Sequence, residues 1–336
     1  MNRTNRILAG LLVLQLVVAA VILWPRPAPA SSSGPLFEGL TADSVTALTV
    51  QDDQGNDVHL VKQGDGWVLP QADDYPVQAE RVSQLLDKIV ALNTSRLVTQ
   101  TSDSHKRLQV ADDDYLRRVD METADGKSYT LYVGSSPQAR ATHVRAGGQD
   151  QVYLASDLGS FDVGSQPSFY VSSDYQVLTV ADISQVTLQN AYGELTFTKG
   201  DEGNWTLPDL AEGETLDQTA VSSLVNRAAA VRLSQPLGKE VKPEYGLDDP
   251  LAVVTVNTTG SGDSPAQTVV LRVGAQDPED SSYVVSSSLS PYVVRVAQFS
   301  AQDFVEKSRS DFLAQPTATP EAGDQAPLAP VETPQP

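Results

Sequence analysis

Few residues in this chain could do chemistry. Histidine occurs three times, at His59, His105 and His143, and cysteine does not occur. Asp103-Ser104-His105 sets an acid, a hydroxyl and an imidazole side by side, the residue types of nucleophilic acyl transfer. Such groups act only when nucleophile, base and orienting acid meet around a pocket, normally from separate chain segments. No Gly-x-Ser-x-Gly turn is present to lift a nucleophile beside an oxyanion site, so the tripeptide reads as a solvated loop. His59 and His143 fall in strand-like stretches and read as surface or boundary residues. Asp112-Asp113-Asp114 and Asp277-Pro278-Glu279-Asp280 offer oxygens of the kind calcium takes. Neither has the spaced ligands and central glycine of a calcium loop, and both read as solvated turns.

Lack of cysteine removes disulfides, thiolate nucleophiles, sulfur-ligated zinc and lipid attachment through an N-terminal Cys. Neither a Walker loop nor a dinucleotide fingerprint occurs. With 43 acidic side chains, paired carboxylates are expected from abundance alone, so a carboxylate-dependent hydrolase is the least favoured reading. The sequence therefore points away from an enzyme. It assigns no catalytic, cofactor-binding or metal residue and implies no cofactor.

Spacing is more informative at the tryptophans. Gly64-Asp65-Gly66-Trp67-Val68-Leu69-Pro70 is echoed by Glu202-Gly203-Asn204-Trp205-Thr206-Leu207-Pro208, with Trp67 and Trp205 138 positions apart. Each indole could stack on a ligand, but recurrence at one internal position favours a core anchor. After each Trp comes one apolar helical face: Val82, Leu85, Leu86, Ile89 and Val90, then Val221, Leu224, Val225, Ala228 and Ala229 at an offset of 139. Asp217 is a natural N-cap for the second helix, whereas the first has only Gln78. Tyr129 to Gly134 pairs with Val269 to Gly274 at an offset of 140, a strand ending at a glycine turn in each case. The alignment continues with His143-Val144-Arg145 on Tyr283-Val284-Val285 and Val152-Tyr153-Leu154 on Tyr292-Val293-Val294. Trp67, Trp205, Gly134 and Gly274 are the expected structural anchors.

The expected fold is thus α+β: a tandem duplicated module of antiparallel strands with one helix packed on each sheet. An N-terminal transmembrane helix precedes it. Ile7 to Trp24 runs for 18 residues with Gln15 as its one strongly polar member, roughly 27 Å of helix and close to a bilayer's hydrocarbon thickness. Arg3 and Arg6 before it predict an N-terminus inside and the bulk of the chain extracytoplasmic. Ala28-Pro29-Ala30 keeps a cleaved signal peptide open as the alternative. Expected boundaries are 1–30 for the anchor or signal peptide and the start of a linker, 31–44 for the linker, and 45–160 for the first repeat. They continue with 161–181 for an inter-repeat linker, 182–313 for the second repeat with a closing helix, and 314–336 for a disordered Pro-rich tail. Outside the first thirty residues the net charge is −23, which repels phosphate backbones and argues against nucleic acid as a partner.

The membrane segment, the Gly-x-Trp-x-Leu-Pro stretch, the helix after it and Tyr245-Gly246-Leu247-Asp248-Asp249-Pro250 together resemble the bacterial domain-of-unknown-function family 4340. In the first copy the last element has become Leu108-Gln109-Val110-Ala111-Asp112-Asp113. The resemblance implies a single-pass or exported bacterial protein, often associated with ABC-type export systems, and transfers no catalytic residue. The leading expectation is a non-enzymatic, membrane-tethered interaction module with an envelope or ABC-transporter protein as partner. The alternative is a glycan or cell-wall binding domain that reads its ligand through Tyr75, Tyr192, Tyr283 and Tyr292.

Overall fold

The computed structural model describes residues 33–208, 210–260 and 265–314, together with Gln15. The rest of the expected membrane segment, most of the Pro/Ser spacer and the C-terminal tail beyond 314 lie outside the described residues. Among the described residues no helix is long and apolar enough to cross a membrane.

The chain is α+β, with antiparallel sheets and few helices. The first sheet contains β1 (Val45–Asp52), β2 (Asp57–Gln63), β3 (Gly66–Leu69), β4 (Tyr75–Val77), β5 (Leu97–Thr99), β6 (Arg117–Thr123), β7 (Ser128–Val133), β8 (Thr142–Ala146) and β9 (Val152–Ala155). Its spatial order is β4-β3-β2-β1-β6-β7-β8-β9-β5. After a two-stranded ribbon of β10 (Asp174–Val177) and β14 (Ala230–Arg232), the second sheet uses β11 (Ile183–Asn190), β12 (Gly193–Lys199), β13 (Trp205–Thr206) and β15 (Gln235–Gly238). It is completed by β16 (Ala252–Thr258), β17 (Gln267–Gln276), β18 (Tyr283–Ser287) and β19 (Val293–Val296). Its order, β13-β12-β11-β16-β17-β18-β19-β15, is that of the first sheet without β4.

Alternation along the strands explains why they lie as they do. Leu48 and Val50 of β1, Val58 and Leu60 of β2, and Val119 and Met121 of β6 are buried on one face. Leu48 sits opposite Leu60 on one side and Met121 on the other. In the second sheet Leu188 lies between Leu195 and Val254. Even the irregularity in the β1–β6 ladder, between Val45 and Ala47, recurs between Ile183 and Gln185.

The register corrects one part of the sequence alignment. Val133 pairs with Val144, and Val273 pairs with Val285, so His143 corresponds to Val284 and not to Tyr283. Likewise Tyr153 corresponds to Val294, because Val144 faces Tyr153 and Val285 faces Val294. The cause is one extra residue after Gly274, where the β17–β18 ladder is irregular between Val273 and Gln276.

The helix α1 (Ala79–Val90) buries Val82, Leu85, Leu86 and Ile89, and α2 (Gln218–Ala229) buries Val221, Leu224, Val225, Ala228 and Ala229. The Asp217 carboxylate caps α2 by accepting from the Thr219 and Ala220 amides at 2.9 and 3.1 Å, whereas Gln78 makes no side-chain cap. The closing helix α3 (Gln298–Glu306) leads into a 3-10 turn at Arg309–Phe312, and Phe312 packs against Phe197 with ring centroids 4.9 Å apart.

Both expected linkers are largely packed. From Gly34 onward the 31–44 stretch is tied down, with Leu36, Phe37 and Leu40 buried and the Leu36 amide donating to the Leu92 carbonyl at 2.8 Å. In 161–181, Val163 and Tyr170 are fully buried and Asp174–Val177 is strand β10. The apolar residues scattered through these Ser/Gly-rich stretches outweigh their turn-like composition. By packing, the described residues fall into two compact units, one of 33–67 and 78–170, the other of 68–77 and the residues from 171 on. Within the second unit the Asp73 carboxylate accepts from the Lys239 amide at 2.6 Å.

Candidate functional site

Each sheet carries a loop seated on a glycine. A Cβ on Gly134, just past β7, would lie 2.2 Å from the Leu108 carbonyl oxygen and 2.6 Å from that of Gln109. A Cβ on Gly274 would lie 2.1 Å from the Tyr245 carbonyl oxygen. The two loops match residue by residue. Gln109 and Gly246 are both left-handed, at φ 56° and 63°, so the first copy keeps the turn after losing its glycine. Leu108 and Val110 pack with Tyr132 and Val152, and Tyr245 and Leu247 pack with Val284 and Val293. Trp67 and Trp205 are both buried, at 7% and 6% exposure. The Gln218 amide clamps the Trp205 backbone from both sides, accepting from its N–H at 2.8 Å and donating to its carbonyl at 2.9 Å. In the first sheet β3 has a true neighbour, β4, at this edge.

Structural partners occupy the chemistry-bearing residues. His105 is buried, a correction to the expected solvated loop, and its Nε2 bonds the Asp150 carbonyl at 2.9 Å. It opens the short helical turn His105–Leu108, in which His105 and Leu108 are buried. His143 is buried in β8 with Nδ1 3.2 Å from Ser135 Oγ, and burial holds its pKa below the usual imidazole value. His59 Nδ1 lies 2.8 Å from Thr49 Oγ1 across the β1–β2 ladder.

The acidic clusters fasten turns. Asp112 receives Nη2 of Arg145 at 2.5 Å, and that hydrogen bond holds its carboxyl below the ordinary value. Arg145 is 3% exposed, and Nε and Nη1 donate to the Val110 and Gln149 carbonyls at 2.6 and 3.1 Å. Its guanidinium also lies over the Tyr132 ring, 4.3 Å from the centroid, so a buried cation is satisfied on every side. Asp113 pairs with Lys106 at 2.7 Å and Asp277 with Arg295 at 2.8 Å. Among the described residues no group of three or more acids and histidines is placed to hold a metal ion.

An open cleft of about 720 Å³ lies in the first unit, a volume typical of small-ligand sites. One wall is the turn before β8 with Gln138, Ala139 and Arg140, the other is the segment after β9 with Asp157 to Asp162, and Lys88 of α1 reaches in. Asp162 anchors the second wall, pairing with Lys88 at 2.6 Å through Oδ1 and accepting from the Gly159 amide at 2.8 Å through Oδ2. Burial opposes ionisation of Asp162, but the Lys88 and Gly159 bonds outweigh it and lower its pKa. This fixes a 3-10 turn, Ser160–Asp162, whose Phe161 lines the cleft while remaining 94% exposed. Arg140 stands in the opposite wall in the left-handed region at φ 58°. Leu158, fully buried, also lines the cleft. Sequence reasoning missed this site, since Phe161 and Asp162 fell in an expected linker and Arg140 belongs to no motif.

Two antiparallel sheets of one strand order, each carrying a glycine-seated left-handed loop, define an α+β protein with a repeated sheet. The chain belongs to the family described as Domain of unknown function (DUF4340), whose model matches residues 67–250 and again 215–322. No curated protein and no solved structure matches the chain.

Proposed function

We propose that the chain is a duplicated, non-enzymatic interaction module, tethered to a membrane by its N-terminal apolar segment and exposed on the extracytoplasmic side. There it serves as an accessory to an ABC-type envelope transport system. The observation that supports binding over catalysis is the occupation of the chemistry-bearing groups by structural bonds: His105 by the Asp150 carbonyl, His143 by Ser135, Asp112 by Arg145. Supporting the tether is the run Ile7 to Trp24 behind Arg3 and Arg6. Alkaline extraction of membranes, protease treatment of intact cells and cross-linked pull-down test the proposal together. The chain is expected to resist extraction, to be cut from outside and to recover a transporter subunit; protection from external protease overturns it.

A second reading, binding of a glycan or cell-wall polymer, is favoured by the cleft with its exposed Phe161. The aromatic set expected for it changes. Tyr75 and Tyr283 are buried and Tyr292 is half-buried, which leaves Tyr192, 64% exposed, of the four.

A further inference from the structure

Resting on that second reading, we infer that the cleft of the first unit is a saccharide site in which a sugar ring stacks on Phe161 between the Arg140 and Asp157 walls. The duplication kept part of this site and changed the rest. Lys88 and Asp162 of the first unit correspond to Arg227 and Asp303 of the second, and both pairs are salt-bridged, at 2.6 and 2.9 Å. Arg140 corresponds to Ser281, and both are left-handed, at φ 58° and 61°. The backbone frame of the site is therefore present twice.

The surface it presents is not. Where the second unit has the helix α3, with Gln302 bonded to Glu306 at 2.7 Å, the first has the short turn that projects Phe161. A nearly fully exposed phenylalanine on a turn pinned at two points is a preformed apolar platform. Around it the polar groups are balanced in sign. Lys88 is neutralised by Asp162, and Arg140, Asp157 and Gln138 supply both donors and acceptors. An anion would be better served by cations alone. A ring whose hydroxyls each donate and accept, and whose C–H face is apolar, matches a flat aromatic edged by a guanidinium, a carboxylate and an amide.

Titration calorimetry of the full chain, in a detergent without a sugar headgroup, tests the assignment with chitotetraose, cellotetraose, maltotetraose and digalacturonate, and with inorganic phosphate beside them. At least one saccharide is expected to bind. Phe161→Ala should weaken it by roughly tenfold or more, consistent with the loss of a stacking contact. Phe161→Tyr should retain it, and Phe299→Ala, an exposed phenylalanine of the second unit, should leave it unchanged. An unaltered thermal midpoint for Phe161→Ala confirms that folding is intact. Binding of none of the four saccharides, binding of phosphate alone, or affinity indifferent to Phe161→Ala overturns the assignment. A chain that behaves as a membrane-tethered protein but binds no saccharide refutes the cleft alone, because the tether is read by extraction and protease access.

Discussion

One methyl group is enough to unseat either loop. Gly134→Ala and Gly274→Ala drive a Cβ to within 2.2 and 2.1 Å of a backbone carbonyl oxygen, which cannot swing aside like a side-chain tip. Each should cost about 1–3 kcal/mol in denaturant unfolding. Gly66→Ala, whose Cβ would meet nothing nearer than 3.9 Å, should cost less. Asp52 links a residue to acid stability. Burial opposes its charge, but bonds from the Asn56 side chain, Ser165 Oγ and the Asn56 and Gln54 amides outweigh burial and bring its pKa to about 2. A depressed carboxylate stabilises the fold above its unfolded value of 3.8, and that contribution disappears as pH falls toward 2. Asp52→Asn should therefore lower stability at pH 5 and flatten its fall between pH 4 and pH 2, as measured by urea titration at each pH. The sequence marks both glycines as strand ends, which holds for Gly134 but not for Gly274, since β17 continues to Gln276; the carbonyls pressing on both come from loops more than twenty residues away along the chain.

At the scale of elements, local signals were legible wherever the partner lay close in sequence. The α1 and α2 faces follow from apolar spacing, and the Asp217 cap from its position before the second helix. Asp217→Ala should cost about 1 kcal/mol, and Gln78→Asp should stabilise by about 0.5–1 kcal/mol by giving α1 the cap it lacks; thermal melts of the two variants check both signs. Alternation marks the hairpins and the later strands, but β10 lies in the expected linker and the correspondence of β8 with β18 is one residue out. One residue inserted after Gly274 shifted the alignment, and only the ladder reveals it. The Gln218 clamp on Trp205 is equally hidden, since a side-chain amide standing at a strand edge leaves no periodic trace.

Across the whole molecule, the frame is doubled but the side chains set on it differ. Salt bridge, left-handed turn and glycine seat recur in both units, while Phe161 and Arg140 have Gln302 and Ser281 as counterparts. Removing residues 2–32 should shift the chain from the extraction-resistant membrane fraction to the soluble one without changing its thermal midpoint, because packing of the described chain begins near Gly34. Fractionation and a melt of the truncated chain check that expectation.

By itself the sequence determined what repeats along a line: strand alternation, two helical faces, two Trp-x-Leu-Pro stretches 138 residues apart and the family they mark. Those signals come from residues a few positions apart sharing one environment. The tertiary structure alone decided that His105 is buried, that residues within 161–181 are packed, and that Lys88 pairs with Asp162 beside Phe161 in the lining of a cleft. Each of these depends on residues brought together by sheet register and helix docking, distances that no local pattern encodes.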